Sequence, residues 1–171
     1  MFSDFVGFTI KSIIFILPSY IANGAPVISS KIFIRRHPID MGKVFIDHKR
    51  IFGDGKTYEG FMIGLITGTL TGLFLEIFSY HTVEGAFILS LGTLLGDLIG
   101  SFIKRRIGIK RGQKAPFLDQ LTFLYFALFL YYFFYDAIEV NIIIFLSIIT
   151  PILHRFTNYV AYKLKLKEYP W

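Results

Sequence analysis

The sequence predicts an all-α integral membrane protein with five transmembrane helices. Hydrophobic residues make up 54% of the 171 residues, 20 of them phenylalanine, and the mean hydropathy is +0.57. A soluble domain of this length has no core large enough to bury so much apolar surface. The apolar residues also fall into five separate runs of about 20 residues, the length that a helix needs to cross a bilayer.

The runs follow one another along the chain and form a single transmembrane domain, residues 1–171. We expect the helices at residues 5–28, 60–80, 84–103, 121–137 and 140–162. In the first run, Pro18 and Pro26 lie on either side of Asn23. Because proline removes a helical hydrogen bond, this pattern predicts a kinked or unwound segment that frees backbone groups for a site.

Glycines recur at intervals of four residues on the second and third runs. They are Gly60, Gly64, Gly68, Gly72, Gly92, Gly96 and Gly100. Such a stripe is typical of helices that pack closely against each other in lipid. A second interpretation is that Gly96 and Gly100 leave space for a ligand beside Asp97.

The charged residues are distributed asymmetrically between the two ends of the predicted helices. Lysine and arginine are concentrated between runs one and two, between runs three and four, and in the C-terminal tail, whereas the opposite loops contain Glu84, Asp136 and Glu139 but no Lys or Arg. By the positive-inside rule, the N-terminus lies outside the cell membrane, and the C-terminus and two long basic loops are cytoplasmic. The net charge of +6 therefore reflects membrane topology and not a nucleic-acid surface.

Asp97 is the strongest candidate for a functional residue. It lies about two turns inside the cytoplasmic end of the third run, where a carboxylate is costly unless it is paired or coordinated. Ser101 and Lys104 follow at i+4 and i+7 and share its helix face. The alternative is a structural ion pair between Asp97 and a lysine.

In this topology, other polar residues lie at the same depth in the membrane as Asp97. They are Asn23, the run Asp54-Gly55-Lys56, Asp119, and the group His154, Arg155 and Asn158 near the end of the fifth run. Anchoring charges explain lysines and arginines at a membrane surface, but they do not explain this set of carboxylates and amides. We therefore expect one polar site to which all five helices contribute.

The segment between runs three and four carries most of the cations. They are Lys104, Arg105, Arg106, Lys110, Arg111 and Lys114. Arginine makes bidentate contacts with phosphate oxygens, and Gly108 and Gly112 let this segment move around a polyanion. Alternatively, these cations only determine the orientation of the chain in the membrane, or they bind anionic lipid headgroups.

Mg²⁺ is the cofactor that these residue types favour, because it binds one or two carboxylates together with substrate phosphates. Asp97 and Asp119 are its candidate ligands, and the absence of cysteine excludes thiolate sites. The candidate catalytic residues are Asp97, Lys104, Arg105 and Lys110. The candidate substrate-binding residues are Asn23, Asp54, Gly55, Lys56, Ser101, Arg106, Arg111 and Lys114.

A family resemblance rests on the same segment. Ser101-Phe102-Ile103-Lys104-Arg105, followed after four residues by Lys110, resembles the S-x-[apolar]-K-R-x4-K-D signature of CTP:phosphatidate cytidylyltransferases. Arg111 stands where that signature has Asp, and Gln120 follows Asp119 where it has Arg. The five-span layout, Asn23-Gly24-Ala25-Pro26, Asp54-Gly55-Lys56 and Gly96-Asp97 resemble the archaeal branch, the CDP-archaeol synthases.

The resemblance implies that CTP and an unsaturated archaeal ether-lipid phosphate react to give a CDP-lipid and pyrophosphate. Two other functions would use similar residues. A transporter or flippase for anionic lipids or nucleotides would use the same basic residues at its entrance. However, few polar residues continue into the outer half of the helices. A CDP-alcohol phosphotransferase would need a double-aspartate pattern that this sequence lacks. The sequence makes no prediction of the oligomeric state.

Overall fold

The computed structural model describes residues 2–110, 112–135, 138–167 and 169–170 of the protein. It consists of five helices: α1 (Phe2–Ile32), α2 (Tyr58–Ile77), α3 (Val83–Arg106), α4 (Leu118–Phe134) and α5 (Val140–Lys163). No strand forms within the described ranges, where β-structure is limited to the isolated bridges Pro38–Thr57 and Val44–Arg50. The all-helical prediction is confirmed.

Four of these helices are long and apolar enough to cross a membrane: α1 through its residues Ser3–Ser29, α2, α3 and α5. Helix α4 has 17 residues, which corresponds to about 26 Å, somewhat less than a hydrocarbon core of about 30 Å. Membrane crossing by α4, the fourth of the five predicted spans, therefore stays a prediction, and the expected end of that span at Asp136 and Ala137 lies outside the described residues. Apolar side chains cover the exposed face of α2, including Ile66, Leu70 and Phe74.

The glycine stripes are helix contacts. A Cβ atom added to Gly68 would lie 2.2 Å from Ser90 Oγ of α3 and 2.9 Å from Pro18 O of α1, so α2 fits between these helices. On α3, a Cβ at Gly96 or Gly100 would lie 2.6 Å from Thr122 O or Thr122 Oγ1 of α4. The packing interpretation is confirmed. The alternative, in which Gly96 and Gly100 leave space for a ligand beside Asp97, is wrong, because α4 packs against both glycines.

Helix α1 is continuous through both of its prolines, so the expectation that they unwind it is wrong, whereas the expected kink stays a prediction. Pro26 cannot donate to Ala22 O, and that carbonyl instead lies against Gly64 of α2, 2.7 Å from where a Cβ would be. The free carbonyl therefore lies in the contact between α1 and α2, where Ala22 is fully buried. Asn23 stays half-buried on the helix.

Three helices end with the same hydrogen-bonded turn. After α3, Gly108 adopts φ 81°, its N–H donates to Arg105 O at 3.2 Å, and Ile109 N–H donates to Lys104 O at 2.9 Å. This is a Schellman motif, which satisfies carbonyls that the helix end leaves free. Ser79 after α2 and Lys165 after α5 occupy the same left-handed position.

Consecutive helices run antiparallel, so α1, α3 and α5 end where α2 and α4 begin. We call this the basic end. It carries the first basic loop (residues 33–57), the second basic loop (residues 107–117) and the C-terminal tail (residues 164–170). Away from it, Ile16, Leu89, Phe123, Leu124 and Leu146 form the centre of the apolar core.

Candidate active site

Two carboxylate–lysine pairs lie at the basic end. Asp97 of α3 accepts a hydrogen bond of 2.5 Å from Lys56 Nζ, which comes from the last turn of the first basic loop. Asp119 of α4 pairs with Lys104 of α3. All four side chains are partly buried, with exposed fractions of 15–32%. The structure therefore brings together four predicted site residues from two helices and a loop.

The chain positions both pairs through the starts of two helices. Thr57 is the N-cap of α2, and its side chain accepts from Gly60 N–H at 3.2 Å, which fixes Lys56 immediately before the helix. At α4, Phe117 has φ 65° and Leu118 N–H donates to Pro116 O at 2.8 Å. This is a γ-turn with a strained central residue, and it places Asp119 in the first helical turn.

The first basic loop is organised by a carboxylate that the sequence analysis did not select. The side chain of Asp40 is fully buried and accepts from Arg50 Nη2 at 2.6 Å, Gly53 N–H at 2.8 Å, Phe52 N–H at 3.0 Å and Gly42 N–H at 3.2 Å. Burial opposes ionisation, but these hydrogen bonds outweigh it and hold the pKa of Asp40 well below its usual range. Asp40 is therefore the centre of a small folded loop.

Arg106 joins this loop to the end of α3. Its guanidinium lies over the rings of Phe45 and Phe102, at 5.0 and 4.7 Å, and Nη2 donates to Lys49 O and Arg50 O, at 3.2 and 2.6 Å. Asp47 is 3.1 Å from its Nε. In return, Lys49 Nζ donates to Arg106 O at 2.8 Å, at the negative end of the α3 dipole.

Several predicted binding residues lie around the two pairs without contacting them directly. Asp54 is paired with Arg50 at 2.7 Å, and Gly55 beside it is exposed. Ser101 is buried on α3, and Asn23 lies farther inside on α1.

In the second basic loop, Lys110 and Lys114 are exposed. Arg105 donates to Ile109 O at 2.7 Å. Arg111 lies outside the described residues.

Helix α5 and the tail add polar groups to the same region. Asn158 accepts from Lys167 Nζ at 3.0 Å through Oδ1, and its amide nitrogen lies 3.1 Å from His154 Nδ1. Burial lowers the pKa of Lys167, the nearby carboxylates Asp119 and Asp97 raise it, and Lys56 and Lys104 lower it. His154 and Asn158 were expected at this level from the sequence, whereas Lys167 was not, because a lysine in a basic tail looks like a topology signal.

The carboxylates determine which metal arrangement fits. Within the described ranges, no group of three or more His, Asp or Glu side chains converges. Asp97 and Asp119 each use one oxygen in an ion pair, and each side chain is about one-third exposed. This donor set fits an ion such as Mg²⁺ whose remaining ligands are water and substrate phosphates. It does not fit a site made by protein ligands alone.

Comparison with known proteins shows the family to which the chain belongs. Residues 5–171 match a family model described as "CarS-like: CDP-archaeol synthase". A CDP-archaeol synthase from Pyrobaculum islandicum is 54% identical over 157 residues, which cover 91% of this chain and 94% of that protein. One from Methanopyrus kandleri is 44% identical over 164 residues, which cover 94% and 92%.

A solved structure also resembles this one, with a TM-score of 0.77 and 37% identity over 85% of this chain and 91% of the other. It is described as an intramembrane enzyme for archaeal membrane lipid biosynthesis. The five-helix arrangement, the paired carboxylates at the basic end and these matches lead to one assignment. The chain belongs to the CDP-archaeol synthase family, the cytidylyltransferases of archaeal lipid biosynthesis.

Proposed function

We propose that this enzyme joins CTP to 2,3-bis-O-geranylgeranyl-glycerol 1-phosphate at the basic end, giving CDP-archaeol and pyrophosphate. The observation that carries the proposal is the pair of Asp–Lys contacts, Lys56 with Asp97 and Lys104 with Asp119. Each pair offers an ammonium group to phosphate oxygens and a carboxylate to a cation. Both substrates are anions, so the site must neutralise their repulsion before they meet.

The reaction is a displacement at phosphorus. An oxygen of the lipid phosphate attacks the α-phosphorus of CTP, and the bond from that phosphorus to the oxygen bridging the α- and β-phosphates breaks. The electron pair leaves with pyrophosphate, so negative charge grows on the leaving group. A phosphate monoester is already ionised near neutral pH and needs no serine–histidine pair to activate it. The residues required are therefore cations and metal ligands.

The chain's own residues divide these tasks. Lys56 and Lys104 exchange their carboxylate partners for phosphate oxygens when substrate arrives, while Arg105, Lys110, Arg111 and Lys114 contact the outer phosphates. Asn23, Asp54, Gly55, Ser101 and Arg106 border the site. Asp97 and Asp119 would hold Mg²⁺, which supplies neutralisation of the triphosphate and of the leaving pyrophosphate.

The apolar surfaces suit the lipid substrate. A groove between α3 and α4 begins at Phe117 and Leu118, beside Asp119, and continues along Ile99, Leu121 and Phe126. A lipid chain lying in such a groove keeps its phosphate at the level of the ion pairs. CTP reaches that level from water, and the site faces the cytoplasm if the basic loops follow the positive-inside rule in the cell membrane.

Turnover by purified protein tests the proposal. In detergent, without any gradient, labelled CTP and the lipid phosphate should give CDP-lipid and pyrophosphate in equal amounts when Mg²⁺ is present. Asp97→Asn should abolish turnover at every Mg²⁺ concentration while the unfolding temperature stays near that of the wild type. Glu84→Gln removes a carboxylate at the opposite end and should retain turnover.

Two results would overturn the proposal. One is wild-type-like turnover by Asp97→Asn. The other is a wild type that forms no product in detergent but moves labelled lipid or nucleotide across vesicle membranes, which is the behaviour of a transporter.

A further inference from the structure

Helices α1 and α2 lie side by side where they meet the basic end. A Cβ atom added to Gly60, in the first turn of α2, would lie 3.3 Å from Pro26 Cβ and 3.4 Å from Ser29 Oγ of α1. Helix α2 has 20 residues, which corresponds to about 30 Å, the thickness of a hydrocarbon core. The start of α2 and Ser29 of α1 therefore lie together at the bilayer surface.

The chain stays close to this surface after α1 ends. Helix α1 ends at Ile32, only about 4.5 Å beyond Ser29 along its axis. The next contact is with the first turn of α2, where His37 N–H donates to Glu59 Oε2 at 3.0 Å and His37 Nδ1 lies 2.6 Å from Glu59 Oε1. Residues 33–36 connect these two points and therefore lie beside the bilayer surface.

Three consecutive large apolar side chains are exposed at this point of the chain. Ile32 is 62% exposed, Phe33 is 41% exposed and Ile34 is completely exposed. A single apolar residue on a surface needs no explanation, but a contiguous exposed run is unfavourable in water. Ile28, one turn earlier on the same face of α1 as Ile32, is also exposed. The run therefore continues the lipid-facing surface of α1.

Cations border this apolar run on both sides. Lys31 precedes it, Arg35 and Arg36 follow it, and all three side chains are exposed. Within the part of the chain that the structure describes, none of the three forms an ion pair, whereas Arg50 and Arg106 nearby do. Apolar residues bordered by Lys and Arg are typical of segments in a membrane interface, because the apolar side chains enter the lipid while the cations meet anionic headgroups.

We propose that residues 31–36 anchor the basic end in the membrane interface. The three apolar side chains enter the lipid, and the three cations bind phosphate groups of anionic lipid headgroups. The contact of His37 with Glu59 holds the segment against α2 and therefore at the depth of the headgroups. Continuity with the lipid-facing surface of α1 identifies the partner as a lipid surface. The anchor is separate from the proposed reaction, because none of its residues belongs to the carboxylate–lysine pairs.

Fluorescence quenching in vesicles tests the depth of the segment. The chain has no cysteine, so Ile34→Cys gives a single site for a fluorescent label, and Ile66→Cys on the exposed apolar face of α2 gives a reference within the lipid. Each labelled protein is reconstituted in phosphatidylcholine vesicles that contain a fixed fraction of lipid with brominated chains. Brominated lipid should quench the label at both positions, and iodide in the water should quench each less than it quenches the same dye attached to glutathione.

The choice of brominated lipid tests the headgroup contacts. At the Ile34→Cys label, brominated phosphatidylglycerol should quench about twofold more than the same fraction of brominated phosphatidylcholine, because the cations gather anionic lipid around the segment. Arg35→Gln and Arg36→Gln should each lower this ratio, and high salt should bring it to about one without any substitution. Lys43→Gln removes the same charge from another exposed position in the first basic loop and should leave the ratio unchanged.

Two results would overturn the proposal. If iodide quenches the Ile34→Cys label as strongly as it quenches the glutathione conjugate, and brominated lipid does not quench it, the apolar run lies in water. If the two brominated lipids quench that label equally, or if Lys43→Gln lowers the ratio as much as Arg36→Gln does, the cations of residues 31–36 do not bind headgroups directly.

Discussion

The two basic loops look alike in the sequence and differ in the structure. The first, residues 33–57, folds around the buried carboxylate of Asp40, and its cation Arg50 binds Asp40 and Asp54. The second, residues 107–117, begins with a Schellman motif and leaves Lys110 and Lys114 exposed. The first loop uses a cation to hold itself together, whereas Lys110 and Lys114 of the second loop lie at the surface.

The difference shows that a count of positive charges does not describe what they do. The positive-inside rule treats every lysine and arginine near the membrane alike. Arg106 is an example. It was expected to bind phosphate, and in the structure its guanidinium stacks on two aromatic rings and donates to two backbone carbonyls. Binding of substrate by Arg106 stays a prediction, and substitutions in the two loops test the contrast.

The largest effect should follow Asp40→Asn. A neutral amide cannot match the charge of Arg50 or accept all of the hydrogen bonds that Asp40 receives. Breaking a buried pair costs about 3 kcal/mol, so hydrogen exchange of the peptide amides in residues 38–57 should speed up roughly a hundredfold. Asp47→Asn is the control, because Asp47 is more exposed and receives fewer hydrogen bonds. Equal exchange in both variants would mean that Asp40 does not organise the loop.

The same carboxylate predicts how the loop responds to pH. Because folding lowers the pKa of Asp40, its contribution to stability is fully present above the usual aspartate pKa of about 3.9 and declines as pH falls toward the lower folded value. Protection of residues 38–57 should therefore be constant from neutral pH to about pH 5 and weaken below about pH 4. Exchange rates corrected for the intrinsic effect of pH measure this. Loss of protection between pH 7 and pH 6 would contradict it.

Removing a cation from the second loop should affect catalysis and not stability. Lys110→Gln should lower kcat/KM for CTP more than tenfold, equivalent to more than about 1.4 kcal/mol, and leave the unfolding temperature unchanged. Lys43→Gln removes the same charge from an exposed position in the first loop and should have little effect on either quantity. If both variants lose activity equally, the charge acts only at long range, and the two loops are electrostatically equivalent.

Arg106→Lys should loosen the first loop by an intermediate amount. Lysine keeps the charge but loses the planar fork that reaches two carbonyls and stacks on Phe45 and Phe102. Exchange in residues 38–57 should increase about tenfold, corresponding to about 1.4 kcal/mol. Arg36→Lys, the same replacement at an exposed position, is the control. A fall in kcat/KM with unchanged exchange would instead support phosphate binding by Arg106.

Much of this architecture follows from the sequence because the bilayer imposes a strong periodic pattern. Five apolar runs predicted five helices, and the depth of Asp97 and the spacing to Lys104 placed both at one end of α3. Helix limits were less accurate, since α1 extends over Phe2–Ile32 where 5–28 was expected. Hydropathy identifies the apolar part of a helix but not its polar ends, because hydrogen bonds determine at which residue the helix begins and ends.

The parts that the sequence did not predict depend on contacts between distant residues. Asp40 lies among polar and basic residues, and its role becomes visible only when the backbone of residues 52 and 53 folds onto it. Lys167 reaches Asn158 of α5 after the chain reverses at Lys165. For the same reason, the sequence did not determine which charged residues pair with each other. No residue spacing predicts that Lys56 pairs with Asp97 or that Lys104 pairs with Asp119.

The smallest effect is expected from a matched pair of glycines, Gly42 in the first loop and Gly108 in the second. Their φ angles are 80° and 81°, and neither has an atom within 4 Å of an added Cβ. Alanine at either position therefore adds the same backbone strain of about 1 kcal/mol and no steric clash. Any difference between the variants comes from what each glycine is connected to.

Gly42 donates to Asp40, so strain in Gly42→Ala should spread through the network and raise exchange about fivefold across residues 38–57. Gly108 only ends α3, so Gly108→Ala should raise exchange in the last turn of that helix and leave its earlier turns protected. Hydrogen exchange measured by mass spectrometry resolves both segments. If Gly42→Ala raises exchange only in the residues next to it, the first loop does not open as one cooperative unit. The two basic loops would then differ only in their side-chain contacts.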